Sequence, residues 1–118
     1  MIKVMGMYKR RADLTPEQFR DYYENQHMPL VRSLLPGMAS HKRNYIRAGE
    51  KANVTFDVIT EILYDTPESL ALVRTALKDP AVRTRIQDDE ANFMDQGAGI
   101  TCVVDEVSGA LIPNPPAG

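Results

Sequence analysis

The stretch LTPEQF, residues 14–19, reads as a complete helix start. Thr15 is placed to cap. Pro16 takes the first helical position, where its missing N–H costs nothing, and Gln18 stands three residues after the cap, able to reach back to it. Leu14 and Phe19 can close a hydrophobic staple over the turn. The signature returns in DTPESL, 65–70, with Thr66 and Pro67, and in KDPAVR, 78–83, with Asp79 and Pro80. These marks predict helices over about 16–35, ending before Pro36-Gly37, over 67–77, and over 80–94, stopping before Gly97 and Gly99.

Strand-like segments fill the gaps. IKVMGMYKR (2–10), VTFDVITEILY (54–64) and ITCVVDEV (100–107) are β-branched or apolar on both faces, and MASHKRNYIR (38–47) is a more polar strand. AGEKAN, 48–53, can turn a hairpin between the second and third strands. The order is βαββα(α)β. It predicts the α+β class: a ferredoxin-like antiparallel sheet with helices on one face. No helix remains for the other face, yet three strands carry apolar residues there. A second copy of the sheet is the expected cover, giving a homodimer closed into an α+β barrel. Residues 2–107 make the domain. The tail SGALIPNPPAG, 108–118, reads as a loop or extended arm because its prolines forbid a helix.

Bulk properties narrow the function. The chain has 118 residues, 43% hydrophobic and 25% charged, with a formal charge of −2. This balance gives no electrostatic footprint for nucleic acid or an anionic membrane. No apolar run approaches the ~20 residues of a membrane span. The N-terminus MIKVMGMYKRR lacks the charge order of a signal peptide. The lone Cys102 excludes an internal disulfide, fits a reducing compartment, and reads as a small core residue of an apolar strand. Together these point to a cytoplasmic protein.

Phe19, Tyr23, His27, Leu30 and Leu34 fall on one face of the first helix. His27 therefore points toward the sheet, either as a satisfied core histidine or as a titratable group in a pocket. Pro29 has no N–H for the carbonyl of Asn25, so the helix should kink or loosen there. In the third strand Asp57 and Glu61 share a face with Ile59 and Leu63. That face is either a solvated patch or an inward one from which a carboxylate orients His27. His41 and Tyr45 share a face of the second strand. Tyr45 could donate to a carbonyl or enolate, with His41 and Tyr23 as further binding groups. The two histidines and one cysteine have no metal-ligand spacing, and no cofactor motif is present.

The chain resembles the EthD family of the dimeric α+β barrel superfamily. The resemblance rests on IKVMGMYKRRADLTPEQFRDYYENQHMPLV, above all its Tyr-x-x-x-His-x-Pro-Leu element, and on FDVITEILYDTPESL and DEANFMD, spanning about residues 2–107. It implies a ferredoxin-like monomer that dimerises through its sheet, with a pocket between helices and sheet beside His27. Relatives in the superfamily include cofactor-free lactone isomerases, polyketide cyclases and decarboxylases, anthrone oxygenases and haem-degrading monooxygenases. The founding EthD member accompanies a monooxygenase system for ether degradation.

Two functions are compatible with these readings. One is a cofactor-independent acid/base enzyme (isomerase, cyclase or lyase) acting on a small apolar or aromatic carbonyl compound. His27 would be its proton shuttle, Tyr45 and Asp57 further catalytic groups, and Tyr23, Glu61 and His41 substrate contacts. The other is a non-catalytic binding or accessory protein of a degradative oxygenase system. A haem-binding reading lacks an axial histidine in the second and third helices.

Overall fold

A computed structural model describes residues 1–109. Four strands, β1 (Ile2–Arg10), β2 (Ser40–Tyr45), β3 (Val58–Tyr64) and β4 (Met94–Val104), form one antiparallel sheet in the order β2-β3-β1-β4. Four helices, α1 (Pro16–Tyr22), α2 (Met28–Leu34), α3 (Pro67–Lys78) and α4 (Pro80–Ala91), accompany it. The expected α+β ferredoxin-like architecture is the observed one. The capping box at Thr15 and Gln18 forms, and Thr66 and Asp79 cap α3 and α4 through the N–H groups of Ser69 and Ala81.

The first predicted helix differs from expectation at its centre. Between α1 and α2 lies a π-helical turn, Tyr23–His27, closed by the Met28 N–H donating to the Tyr23 carbonyl. Pro29 gives the physical reason. Its ring would clash with the Asn25 carbonyl of a regular helix and it donates no hydrogen bond, so the turn widens by one residue. One extra residue rotates everything after it by about 100°. The buried set therefore runs Phe19, Tyr23, His27, Met28, Val31, Leu35, and the expected Leu30 and Leu34 are only half-buried.

Other boundaries also moved. Helix α4 ends at Ala91, and β4 begins at Met94, well before the expected residue 100. The glycines read as a helix stop instead lie inside β4, where the register with β1 shifts between Met7 and Lys9. Residues 48–53 form a 3₁₀ turn. Gly37 adopts φ +98°, and a Cβ there would lie 2.7 Å from the Ser69 carbonyl oxygen, so only glycine ends α2 this way. Residues 110–118, most of the expected extended tail, lie outside the described part.

Strand alternation sets two faces. Val4, Gly6 and Tyr8 of β1 and Val58, Thr60, Ile62 and Tyr64 of β3 lie toward the helices, with His41, Arg43 and Tyr45 of β2 in register beside them. The opposite face carries Met5, Met7, Ile59, Leu63 and Ile100, with Lys3 and Glu61 paired at 3.1 Å, and no helix among the described residues covers it. Cys102 lies on this uncovered face and is exposed. This corrects its reading as a core residue.

On the helix side the interior divides in two. Phe19, Tyr23, Met28, Val58, Phe93 and Met94 pack as a filled core under α1. Val4, Val31, Leu35, Tyr64, Leu70, Val73 and Ile86 form a second cluster toward the other end of the sheet. Between the two, the Tyr8 ring lies back over Gly6. A Cβ on Gly6 would sit 2.5 Å from the Tyr8 hydroxyl and 2.6 Å from Thr60 Oγ1. Gly6→Ala should therefore unseat Tyr8 and destabilise the fold by about 1–3 kcal/mol. The loss, measured by urea denaturation, should shrink in a Tyr8→Ala background, where the clash with the ring is gone.

Candidate functional site

The second cluster does not close. Its side chains wall a cavity of about 630 Å³ between α2, α3, α4 and the sheet, bounded toward β4 by Thr101 and Val103. That volume suits a small organic molecule. The floor is apolar, and Tyr8, Tyr23, His27, His41 and Glu90 line the end toward the filled core.

His27 reaches this position because of the π turn. Its ring is only 4% exposed, flanked by Tyr23 and Phe93 with centroids 5.6 and 4.9 Å away. Nδ1 lies 2.8 Å from Asp89 Oδ2. A carboxylate accepts, so Nδ1 carries the proton and Nε2 is left as a base with no protein partner among the described residues. Asp89 is itself held, by the Tyr22 hydroxyl at 2.6 Å, and Asn92 donates in turn to that hydroxyl at 2.9 Å. Burial pulls the His27 pKa below its ordinary 6.5, and Asp89 opposes the shift. The ring is neutral at physiological pH.

His41 is the complementary case. Arg43 donates to its Nδ1 at 3.1 Å, which leaves the proton on Nε2. Burial and the Arg43 guanidinium push its pKa down to about 4, so it serves as a neutral donor. Burial raises the Tyr23 phenol far above its usual range, keeping it protonated.

Glu90 neighbours Asp89 in sequence but turns to the cavity. Its carboxyl has no hydrogen-bond partner among the described residues. Burial first, and the charge of Asp89 second, push its pKa up to about 7. A carboxyl in such surroundings is an acid near neutrality.

Of the residues expected from sequence, the cavity gathers His27, Tyr23 and His41. It does not gather the other three. Tyr45 faces the helices but donates its hydroxyl to Glu24, which also receives a bidentate Arg43 contact at 2.7 and 2.8 Å. The guanidinium pulls Glu24 down to about 2. Asp57 precedes β3 and accepts from the Arg10 backbone N–H at 2.8 Å and from Lys51 at 3.0 Å, pinning the 3₁₀ turn to the end of β1. Glu61 lies on the uncovered face, bound to Lys3 and Asn44. The carboxylate that orients His27 is Asp89, not Asp57 or Glu61. Tyr8, Asp89 and Glu90 went unread in the sequence, although α4 offered a signal: the stripe Arg83, Gln87, Glu90 that borders the cavity is polar, which a core-facing stripe would not be. Among the described residues, no group of three or more metal-ligating side chains converges.

The fold and site define a ferredoxin-like α+β protein with an internal cavity. A family profile described as the EthD domain matches residues 11–97, most of the chain, and the protein belongs to the EthD family. No curated protein sequence matches it. Among solved structures, an EthD family protein of Bacillus halodurans is 24% identical, with TM-score 0.65 over 91% of this chain and 99% of that one. SnoaB, a cofactor-independent oxygenase from Streptomyces nogalater, is 9% identical with TM-score 0.60, over 92% and 94% of the two chains. A dimeric ferredoxin-like protein of Bacteroides fragilis is 8% identical with TM-score 0.57, over 89% and 95%.

The Glu90 environment has a consequence for stability. The folded chain keeps the Glu90 proton up to about pH 7, whereas the unfolded chain releases it near the ordinary 4.5. Within that window only the folded state holds the proton, so this group makes stability fall as pH rises. Glu90→Gln should match the wild type at pH 4 and exceed it at pH 8 by up to ~3 kcal/mol in urea denaturation.

Proposed function

We propose that the protein is a cofactor-independent acid/base enzyme that relocates a proton on a small apolar or aromatic carbonyl-bearing metabolite, with His27 as the proton shuttle. The observation that carries this reading is the buried His27 ring, held at Nδ1 by Asp89 with Nε2 left to the cavity. In the reaction Nε2 takes a proton from the carbon next to the carbonyl. The electron pair of that C–H bond moves into the carbonyl system. The developing oxyanion takes a hydrogen bond from Tyr8 or the proton of Glu90. Returning a proton to a different carbon completes an isomerisation; attack of the enolate carbon on a second carbonyl of the same molecule, with the proton returned to that oxygen, completes a ring closure, and neither involves net oxidation. An enolate is also the form of an organic molecule most open to dioxygen without a cofactor. The same first step would thus serve a cofactor-free oxygenase, the activity described for SnoaB.

The working unit in this reading is a cytoplasmic homodimer. Support comes from the uncovered apolar sheet face with Met5, Met7, Ile59, Leu63 and Ile100, and from the dimeric state described for the Bacteroides fragilis neighbour. Sedimentation at micromolar concentration should give twice the 13.2 kDa of one chain. A monomer alone would remove this part of the reading.

The proton-transfer reading is tested by following deuterium exchange at carbon next to the carbonyl of aromatic ketones in D₂O, by NMR. His27→Gln should lose roughly 10²–10⁴ in rate while still binding the ketone. The active form needs His27 neutral and Glu90 protonated. The rate should therefore rise with pH through a value below 6.5 and fall again beyond about pH 7. Glu90→Gln should remove the upper limb. Ketones that bind but exchange no faster than in buffer would leave a binding or accessory role in its place.

A further inference from the structure

The cavity has a second polar end. Arg74 of α3 and Arg83 of α4 both line it, and neither makes a hydrogen bond or ion pair among the described residues. Local spacing explains why. Arg74 has Leu70 four residues before it and Lys78 four after, so no carboxylate can reach it along its own helix. Arg83 has Gln87 after it and Asp79 before it, and Asp79 is occupied in capping the Ala81 N–H at 2.9 Å. The two helices meet at Asp79, with Arg74 five residues before that corner and Arg83 four after. Both guanidinium groups are thus brought to the same end of the cavity, where Arg74 acts electrostatically on the buried Tyr64 phenol.

The opposite end holds the proton-handling groups. Arg83, Gln87 and Glu90 lie on one stripe of α4, and seven residues of helix separate Arg83 from Glu90, about 10 Å along the axis. Between them the wall is apolar, with Ile86, Val73 and Leu77. An anionic group is disfavoured beside Asp89 and Glu90 and favoured beside two unpaired guanidiniums, which present planar donors matched to a carboxylate.

From this we infer that the substrate is a flat acid: Arg74 and Arg83 bind its carboxylate, and its reacting carbonyl lies about 10 Å away among His27, Tyr8 and Glu90. The inference rests on the reading of the cavity as a substrate site and adds to it the charge and length of the ligand.

The test uses 6-acetyl-2-naphthoate, which carries a carboxylate and an acetyl group at opposite ends of a rigid ring system, against its methyl ester. Calorimetry with the full-length protein should show the acid binding roughly 10- to 100-fold more tightly than the ester. Arg74→Gln/Arg83→Gln, at exposed helix positions, should erase that preference and leave ester affinity unchanged, while Arg83→Lys keeps part of it. Added salt should weaken the acid and spare the ester. Equal affinity for the two probes, no binding of either, or an acid preference that survives the double substitution would overturn the inference. Exchange at the acetyl methyl keeps the two readings apart. An ester that exchanges as well as the acid removes the carboxylate site and leaves proton transfer standing. An acid that binds through the arginines without exchange keeps the site and removes proton transfer.

Discussion

Pro29 cannot donate to the carbonyl four residues behind it, and the geometry of the site follows from how the helix accommodates that loss. The widened turn Tyr23–His27 inserts one residue into the inward stripe. His27 and Met28 are consequently both buried, where a regular helix would bury only one face position at that height. Met28 completes the filled core, and His27 is left at its border, with one nitrogen toward α4 and the other toward empty space. A regular helix would aim Leu30 and Leu34 into the cavity. The rotated one aims Val31 and Leu35, smaller or further along, and the space stays open.

The division of the interior into a filled half and a hollow half has an energetic side. Fully buried aromatics, Phe19 and Phe93 above all, sit in the filled half with edge-to-face and tilted ring contacts. The hollow half forgoes dispersion contacts that a packed core would make. It also exposes a carboxyl and three phenols, those of Tyr8, Tyr23 and Tyr64, to an apolar enclosure. The Thr15 cap of α1 and the Asp57 contacts that tie the 3₁₀ turn to β1 both lie outside the cavity lining. This separation lets the cavity hold poorly solvated groups without unfolding the sheet that carries them.

The fold was legible because its signals are local. Three Pro-led caps marked where helices begin, and Thr15, Thr66 and Asp79 needed no tertiary knowledge to be read. Helix ends and strand starts were less so: Gly97 and Gly99 look like a stop signal, but one of them, Gly99, gives way to the Tyr8 ring, its virtual Cβ only 3.1 Å from that ring. The site was half legible. Periodicity turned His27 inward and put His41 on one face of β2 with Tyr45, without saying which face met the helices. It could not tell which face of β3 was inward, since Asp57 and Glu61 alternate with apolar residues on both sides. Nor could it find Asp89, because the partner of His27 is 62 residues away and only the packing of α2 on α4 brings them together.

Asp89 and Glu90 illustrate how environment rather than residue type sets chemical role. Adjacent on α4, they point about 100° apart. One meets a hydroxyl and an imidazole N–H. The other meets apolar walls, which oppose charge and raise its pKa to about 7. Burial acts on His27 in the opposite sense, because there the charged form is the protonated one. The ordinary order of proton affinity between an imidazole and a carboxyl is thereby reversed across the cavity. Between the two pKa values His27 lacks a proton and Glu90 keeps one, so neither bears a charge that the apolar enclosure would have to hold. A carbonyl compound entering between them meets an acceptor on one side and a donor on the other. In the proposed reaction charge would develop only as the proton moves, beside Asp89, which is already in place to stabilise an imidazolium at His27.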